Sequence, residues 1–90
     1  GVARSHLAEA DLDRWFLHRL GHGIGVEGHE DPYLVAGNDA PLEAGNAFSV
    51  EPGFYVEGRW GARIEDIVVA TDEGPLALNN VTHDLMIVEA

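Results

Sequence analysis

Apolar positions follow two different rhythms along the chain. Over residues 2–13, Val2, Leu7 and Leu12 form a partial stripe with Ala3, Ala8 and Ala10 among polar residues, and this predicts one helix. No N-cap residue precedes Val2, so the helix is expected to start abruptly, as part of a longer chain would. Trp15-Phe16-Leu17 is a short apolar run expected to be buried. After Gly45 the rhythm is that of strands, predicted over Asn46–Glu51, Phe54–Glu57, Arg63–Thr71 and Leu85–Val88, with a shorter one at Leu76–Leu78. Gly37-Asn38-Asp39-Ala40-Pro41, Pro41–Gly45 and Asp72-Glu73-Gly74-Pro75 read as loop or turn, and Gly58-Arg59-Trp60-Gly61 as a hairpin tip. Gly21 to Pro32 is too rich in glycine for a helix and reads as a pliable loop. The pattern is α+β: one helix, then an antiparallel β-rich part, in a single domain over residues 1–90 with no internal repeat.

Composition narrows the function more than the fold. Ninety residues bury only roughly 60–65% of the unfolded surface, so the core is small. The formal charge is −11, with five Arg and no Lys, which argues against a nucleic-acid or anionic-membrane surface. No apolar run nears the ~20 residues of a membrane helix, and the charged start is not a signal peptide. There is no cysteine, so disulfides and thiolate metal sites are excluded. No cysteine and no export signal together favour the cytoplasm.

The stretch GHGIGVEGHE, Gly21 to Glu30, concentrates titratable groups among glycines. Gly23 to Gly28 matches G-x-G-x-x-G, but a dinucleotide fingerprint must open a helix, and His29-Glu30-Asp31-Pro32 leaves no room for one. The strand carboxylates are more informative. Glu65 sits in Arg63-Ile64-Glu65-Asp66-Ile67-Val68-Val69, apolar on both faces, where an ionised carboxylate is costly unless paired or bound to metal. With Gly58 near the centre of the tip, Glu51 and Glu65 lie opposite each other on neighbouring strands. Facing like charges destabilise a ladder. A divalent cation between them reverses the sign, and a shared proton is the other physical solution. Carboxylates with an imidazole suit Mn, Co, Fe or Zn. An Arg63 neighbour on the same face is the plainer explanation of Glu65. His18, His22 and His29 crowd into twelve residues of a segment with enough glycine to bend back over the strands, whereas His6 and His83 read as a helix-surface and a polar-turn residue.

Four motifs in order carry a resemblance: His18-Arg19-Leu20-Gly21-His22-Gly23-Ile24-Gly25, His29-Glu30-Asp31-Pro32, Glu51-Pro52-Gly53-Phe54-Tyr55 and Arg63-Ile64-Glu65-Asp66. Together they resemble the catalytic domain of the pita-bread metallopeptidases, in the Xaa-Pro aminopeptidase and Xaa-Pro dipeptidase (prolidase) subgroup. The resemblance covers essentially the whole chain. It implies the C-terminal half of a pita-bread fold with a curved antiparallel sheet. It also implies two divalent metal ions (Mn, Co or Zn), peptide substrates with proline at the second position and attack by metal-activated hydroxide. Half of such a sheet would expose an apolar face or edge, so a homodimer or aggregation is expected.

Residue by residue, the resemblance implies His22, Glu51 and Glu65 as metal ligands, with Glu65 bridging and Glu51 also a proton shuttle. His29 matches a substrate-contacting histidine and His18 a pocket histidine, while Tyr55 and Arg63 match that pocket's hydrogen-bond network. Asp66 after Glu65, and Arg63 in place of glutamine, depart from the methionine aminopeptidase pattern. Creatinase-like C–N hydrolases and non-catalytic binding or assembly modules share the fold but typically lack some ligands. The family's two aspartate ligands lie upstream of a segment like this one, and Asp11, Asp13 and Asp31 are in the wrong context to replace them. The chain is therefore expected to be part of a catalytic domain, inactive alone and a weak binder of metal at most.

Overall fold

The computed structural model describes residues 1–88. Helix α1 covers Val2–Glu9, shorter than the helix expected over 2–13. Asp11 ends it by entering the left-handed region at φ 58°. Asp11 N–H donates to the Ala8 carbonyl at 3.0 Å and Leu12 N–H to the Leu7 carbonyl at 2.9 Å. These are the two bonds of a Schellman cap, with aspartate in the position glycine usually holds. Arg4 ties the helix to the following 3₁₀ turn, Asp13–Trp15, by donating to the Asp13 and Phe16 carbonyls at 2.8 and 2.9 Å. Phe16, under the Arg4 guanidinium, is buried as expected of this run, whereas Leu17 is exposed.

Seven strands follow: β1 (Gly21–Gly23), β2 (Glu30–Leu34), β3 (Ala47–Val50), β4 (Gly53–Val56), β5 (Trp60–Arg63), β6 (Asp66–Thr71) and β7 (Gly74–Ala77). One antiparallel sheet runs β2-β1-β3-β6-β7, and β4 pairs with β5 alone. The stretch expected to be a loop from Gly21 to Pro32 thus supplies two strands, and no helix follows its G-x-G-x-x-G. Space explains the glycines here better than pliability does. A β-carbon at Gly21 would collide with the Ser49 backbone carbonyl, and one at Gly23 with the Asp31 carbonyl. Their absence lets β1 sit tightly between β2 and β3. The register slips between His22 and Gly23, where β2 carries its extra residues, and Pro32 is tolerated in this bulged edge strand.

The predicted Arg63–Thr71 strand is divided. Pairs run without offset from Ala47–Val69 to Val50–Asp66 and again from Gly53–Arg63 to Val56–Trp60. The gap falls at Glu51-Pro52 and Ile64-Glu65, which places Glu51 opposite Glu65, as the hairpin reading expects. Gly58, at φ 73°, sits at the centre of the tip. The expected strand at Leu85–Val88 does not form. The segment after β7 is instead held to β6: Asn79 Oδ1 accepts the Ile67 N–H at 2.6 Å, and His83 Nε2 lies 3.1 Å from Asp66 Oδ1. Beyond that tether Leu85 to Val88 have no ladder partner, and their exposures run from 70% to 91%. The buried apolar core among the described residues is Phe16 and Phe48.

Gly21→Ala is expected to destabilise the chain by about 1–3 kcal/mol in urea denaturation, through overpacking against the Ser49 backbone. Val26→Ala, at a fully exposed position in the same stretch, is expected to stay within about 0.5 kcal/mol.

Candidate active site

The site forms where β1 and β3 part. Gly23 is in register with Phe48, and Glu51 N–H donates to the Leu20 carbonyl at 2.7 Å. Between these points the Ser49 hydroxyl enters the ladder and accepts the His22 N–H at 3.0 Å. Ser49 has no exposed surface. The same hydroxyl stands on the Glu51 face of the strand, two residues before it, and helps hold the Glu51 pKa down. One buried serine therefore fixes the backbone of His22 beside the Glu51 carboxylate. Sequence reading missed Ser49. The available signal was its place two before Glu51 in an otherwise apolar strand.

His22 Nδ1–H donates to the Gly23 carbonyl at 3.0 Å, which turns Nε2 toward Glu51 Oε2 at 3.4 Å. Both ring nitrogens face acceptors, and a neutral imidazole carries one hydrogen. The space between Nε2 and Oε2 therefore calls for a cation, either a proton or a metal ion. Arg63 Nη1 donates to the other oxygen of Glu51, Oε1, at 3.2 Å. Arg63 thus pairs with Glu51 and not with Glu65, contrary to the plainer reading of Glu65. Burial pushes the Glu51 carboxyl up, its side chain being 12% exposed. The Ser49 hydrogen bond, the charges of Arg63 and His22 and a hydrogen-bonding contact with Glu65 outweigh it, and the Glu51 pKa lies below its ordinary 4.5.

A groove of about 500 Å³ is lined by His18, Arg19, His22, His29, Val35, Glu51 and Arg63. It gathers most of the residues singled out from the sequence. The His29 ring meets the His22 ring edge-on at 4.2 Å and is exposed to the groove. His18 lies edge-on between Phe16 (5.0 Å) and Tyr55 (5.8 Å). Its Nδ1–H donates to the Arg19 carbonyl at 2.7 Å, which leaves Nε2 as a buried nitrogen with no partner. Arg19, which also stacks on Tyr33 at 4.8 Å, was not anticipated.

Glu65 departs from expectation. Its apolar neighbours predict a buried carboxylate, yet it is exposed, as is Ile64. The strand break at Ile64-Glu65 leaves it exposed, opposite Glu51 and lining a neighbouring cavity with Asn79 and His83. Among the described residues, no three His, Asp or Glu side chains are grouped as a metal site. The donor chemistry nevertheless fits a divalent cation at one point: an imidazole nitrogen and an ionised carboxylate oxygen converge there, with a second carboxylate beside the first.

The model of metallopeptidase family M24 matches residues 1–72. The chain belongs to this family. It is 59% identical over 87 residues to the probable dipeptidase PepE of Mycobacterium tuberculosis, covering 97% of this chain and 23% of that protein. The crystal structure of dipeptidase PepE from Mycobacterium ulcerans superposes with TM-score 0.88 at 63% identity, over 92% of this chain and 22% of that one. The Xaa-Pro dipeptidase from Bacillus anthracis superposes with TM-score 0.89 at 41% identity, over 94% and 24%. The one helix and antiparallel sheets match the C-terminal part of these pita-bread enzymes. The M24 chain spans less than a quarter of the length of the relatives it matches. No helix among the described residues is long and apolar enough to cross a membrane.

Two outcomes follow. Ser49→Ala leaves the buried His22 N–H without its acceptor and is expected to cost about 1–3 kcal/mol in denaturant unfolding. The lowered Glu51 pKa means that its ionised form stabilises the fold above pH 4.5, a contribution lost as pH falls through the lowered value. The stability difference between the unmodified chain and Glu51→Gln should therefore shrink on acidification below pH 4.5, whereas parallel pH–stability curves would contradict the assignment.

Proposed function

We propose that this chain is part of a binuclear metal-dependent peptidase that cleaves N-terminal residues at Xaa-Pro bonds. The observation that carries the reading is the facing pair His22 Nε2 and Glu51 Oε2, two acceptors at 3.4 Å held from behind by Gly23 and Ser49. A site built with two lone pairs aimed at one point favours a cation there. The M24 membership and the Xaa-Pro dipeptidase among its relatives support the substrate class.

In this reading His22, Glu51 and Glu65 hold metal, with Glu65 opposite Glu51 across the strand gap as a bridging ligand. Two divalent ions, Mn, Co or Zn, supply the Lewis acidity that activates water and polarises the scissile carbonyl. The depressed Glu51 pKa suits a permanent ligand more than a proton carrier. Arg63 neutralises part of the carboxylate charge and orients Glu51. His29, exposed on the groove and braced against His22, is placed to hydrogen-bond the substrate. The orphaned Nε2 of His18, deep in the groove beside Tyr55, is an acceptor awaiting a donor from the substrate.

The ninety residues alone read differently. Two donors converge where a binuclear site needs five, and Glu65 beside them is exposed. By themselves they are expected to act as a non-catalytic module with weak metal affinity at most. Their exposed Leu85–Val88 run favours association with another apolar surface, including a second copy.

The test is hydrolysis of Xaa-Pro dipeptides by the longer protein that contains this segment. Activity should disappear on chelation and return with Mn²⁺, Co²⁺ or Zn²⁺, while the ninety residues show none. Activity that survives chelation would favour a creatinase-type hydrolase, and activity of the ninety residues would refute their assignment as an incomplete site.

A further inference from the structure

Strands β4 and β5 set two glycines in register with Arg63, which lines the groove, and with Tyr55, which packs on it. Gly61 faces Tyr55, and Gly53 faces Arg63. Strand alternation puts Gly53, Tyr55, Gly61 and Arg63 on one face of this ribbon. Neither glycine has a left-handed backbone, so conformation does not account for them. A β-carbon at Gly61 would stand 2.6 Å from Tyr55 Cδ1 and 2.9 Å from the Phe54 carbonyl oxygen. One at Gly53 would stand 2.7 Å from the Ala62 carbonyl oxygen and 3.2 Å from Arg63 Cα and Cβ. Both approaches are closer than packed carbons adopt.

The Tyr55 ring thus occupies the space that a side chain at position 61 would take. From there it meets the His18 ring edge-on at 5.8 Å and lies under the Arg63 guanidinium at 5.5 Å. That guanidinium reaches Glu51 at 3.2 Å. Bare backbone at Gly61, the seated ring, the stacked guanidinium and the carboxylate form one mechanical series. An aromatic ring laid over a cross-strand glycine is also a favourable pair in its own right.

We propose that Gly61 is a positioning residue: its missing side chain seats the Tyr55 ring on β5, and the seated ring packs against His18 and aims Arg63 at Glu51. A larger residue at 61 displaces the ring from the strand and frees both Arg63 and His18. Gly61 therefore governs, through Tyr55, the placement of two groove residues and the partner of Glu51. The consequence for peptide cleavage rests on the function proposed above, but the seating of the ring does not.

Proton NMR of the ninety-residue chain tests this directly. Gly61 Hα protons should be shifted upfield by the Tyr55 ring, and Tyr55→Leu should abolish the shift. Gly61→Ala should remove the Tyr55–His18 ring-to-ring Overhauser contacts and the ring-current shift of the Arg63 side chain, while strand-to-strand contacts between β3 and β6 persist. Ordinary Gly61 Hα shifts in the unmodified chain would overturn the proposal. So would Tyr55–His18 contacts that survive Gly61→Ala. If Gly61→Ala does not fold, the Tyr55→Leu comparison decides alone. Absence of metal-dependent hydrolysis in the longer protein would leave these signals in place, so the two readings fail separately.

Discussion

The Ser49 hydroxyl is the joint on which the site depends. It lies fully buried between β1 and β3, takes the His22 N–H and helps hold the Glu51 pKa down. Because the serine backbone packs where a Gly21 β-carbon would be, the joint also requires glycine on the facing strand. The two strands are joined here by one hydroxyl and one missing methyl group. Local chemistry, more than a large apolar core, therefore determines the arrangement.

The charge pattern follows from that joint. His22 is turned by the Gly23 carbonyl so that Nε2 faces Glu51, and Arg63 takes the remaining oxygen. Glu51 is buried yet ionised, since donors and cations outweigh the cost of its burial. The break between β3–β6 and β4–β5 lies at the same level. It releases the Glu51 N–H to Leu20 and leaves Glu65 exposed.

Much of this was readable in the residues. Opposition of Glu51 and Glu65 followed from a hairpin centred on Gly58, and the clustering of three histidines beside it marked the groove. The α+β class followed from the change of apolar rhythm after Gly45. Other features were hidden for physical reasons. Glycine density in Gly21–Pro32 masked two strands, because propensity describes backbone freedom and not the clearance a neighbouring strand demands. Glu65 was read as buried because its neighbours are apolar, but in ninety residues one sheet face and the strand break remain open. The apolar run Leu85–Val88 has strand composition without a strand, since a ladder requires a partner that the described residues do not provide. Ser49, a small polar residue in an apolar strand, is indistinguishable from a tolerated substitution until its bond to the His22 N–H is seen.

Paramagnetic broadening by Mn²⁺ in ¹⁵N and ¹³C spectra of the ninety-residue chain would test the account at its centre, because it detects even weak, fast-exchanging occupancy. Selective loss of the His22 and Glu51 signals first, with Glu65 next and His6 unaffected, is the predicted result. Broadening that begins at Asp72 and Glu73, or spreads evenly over the acidic surface, would show that the facing nitrogen and carboxylate are not a cation site.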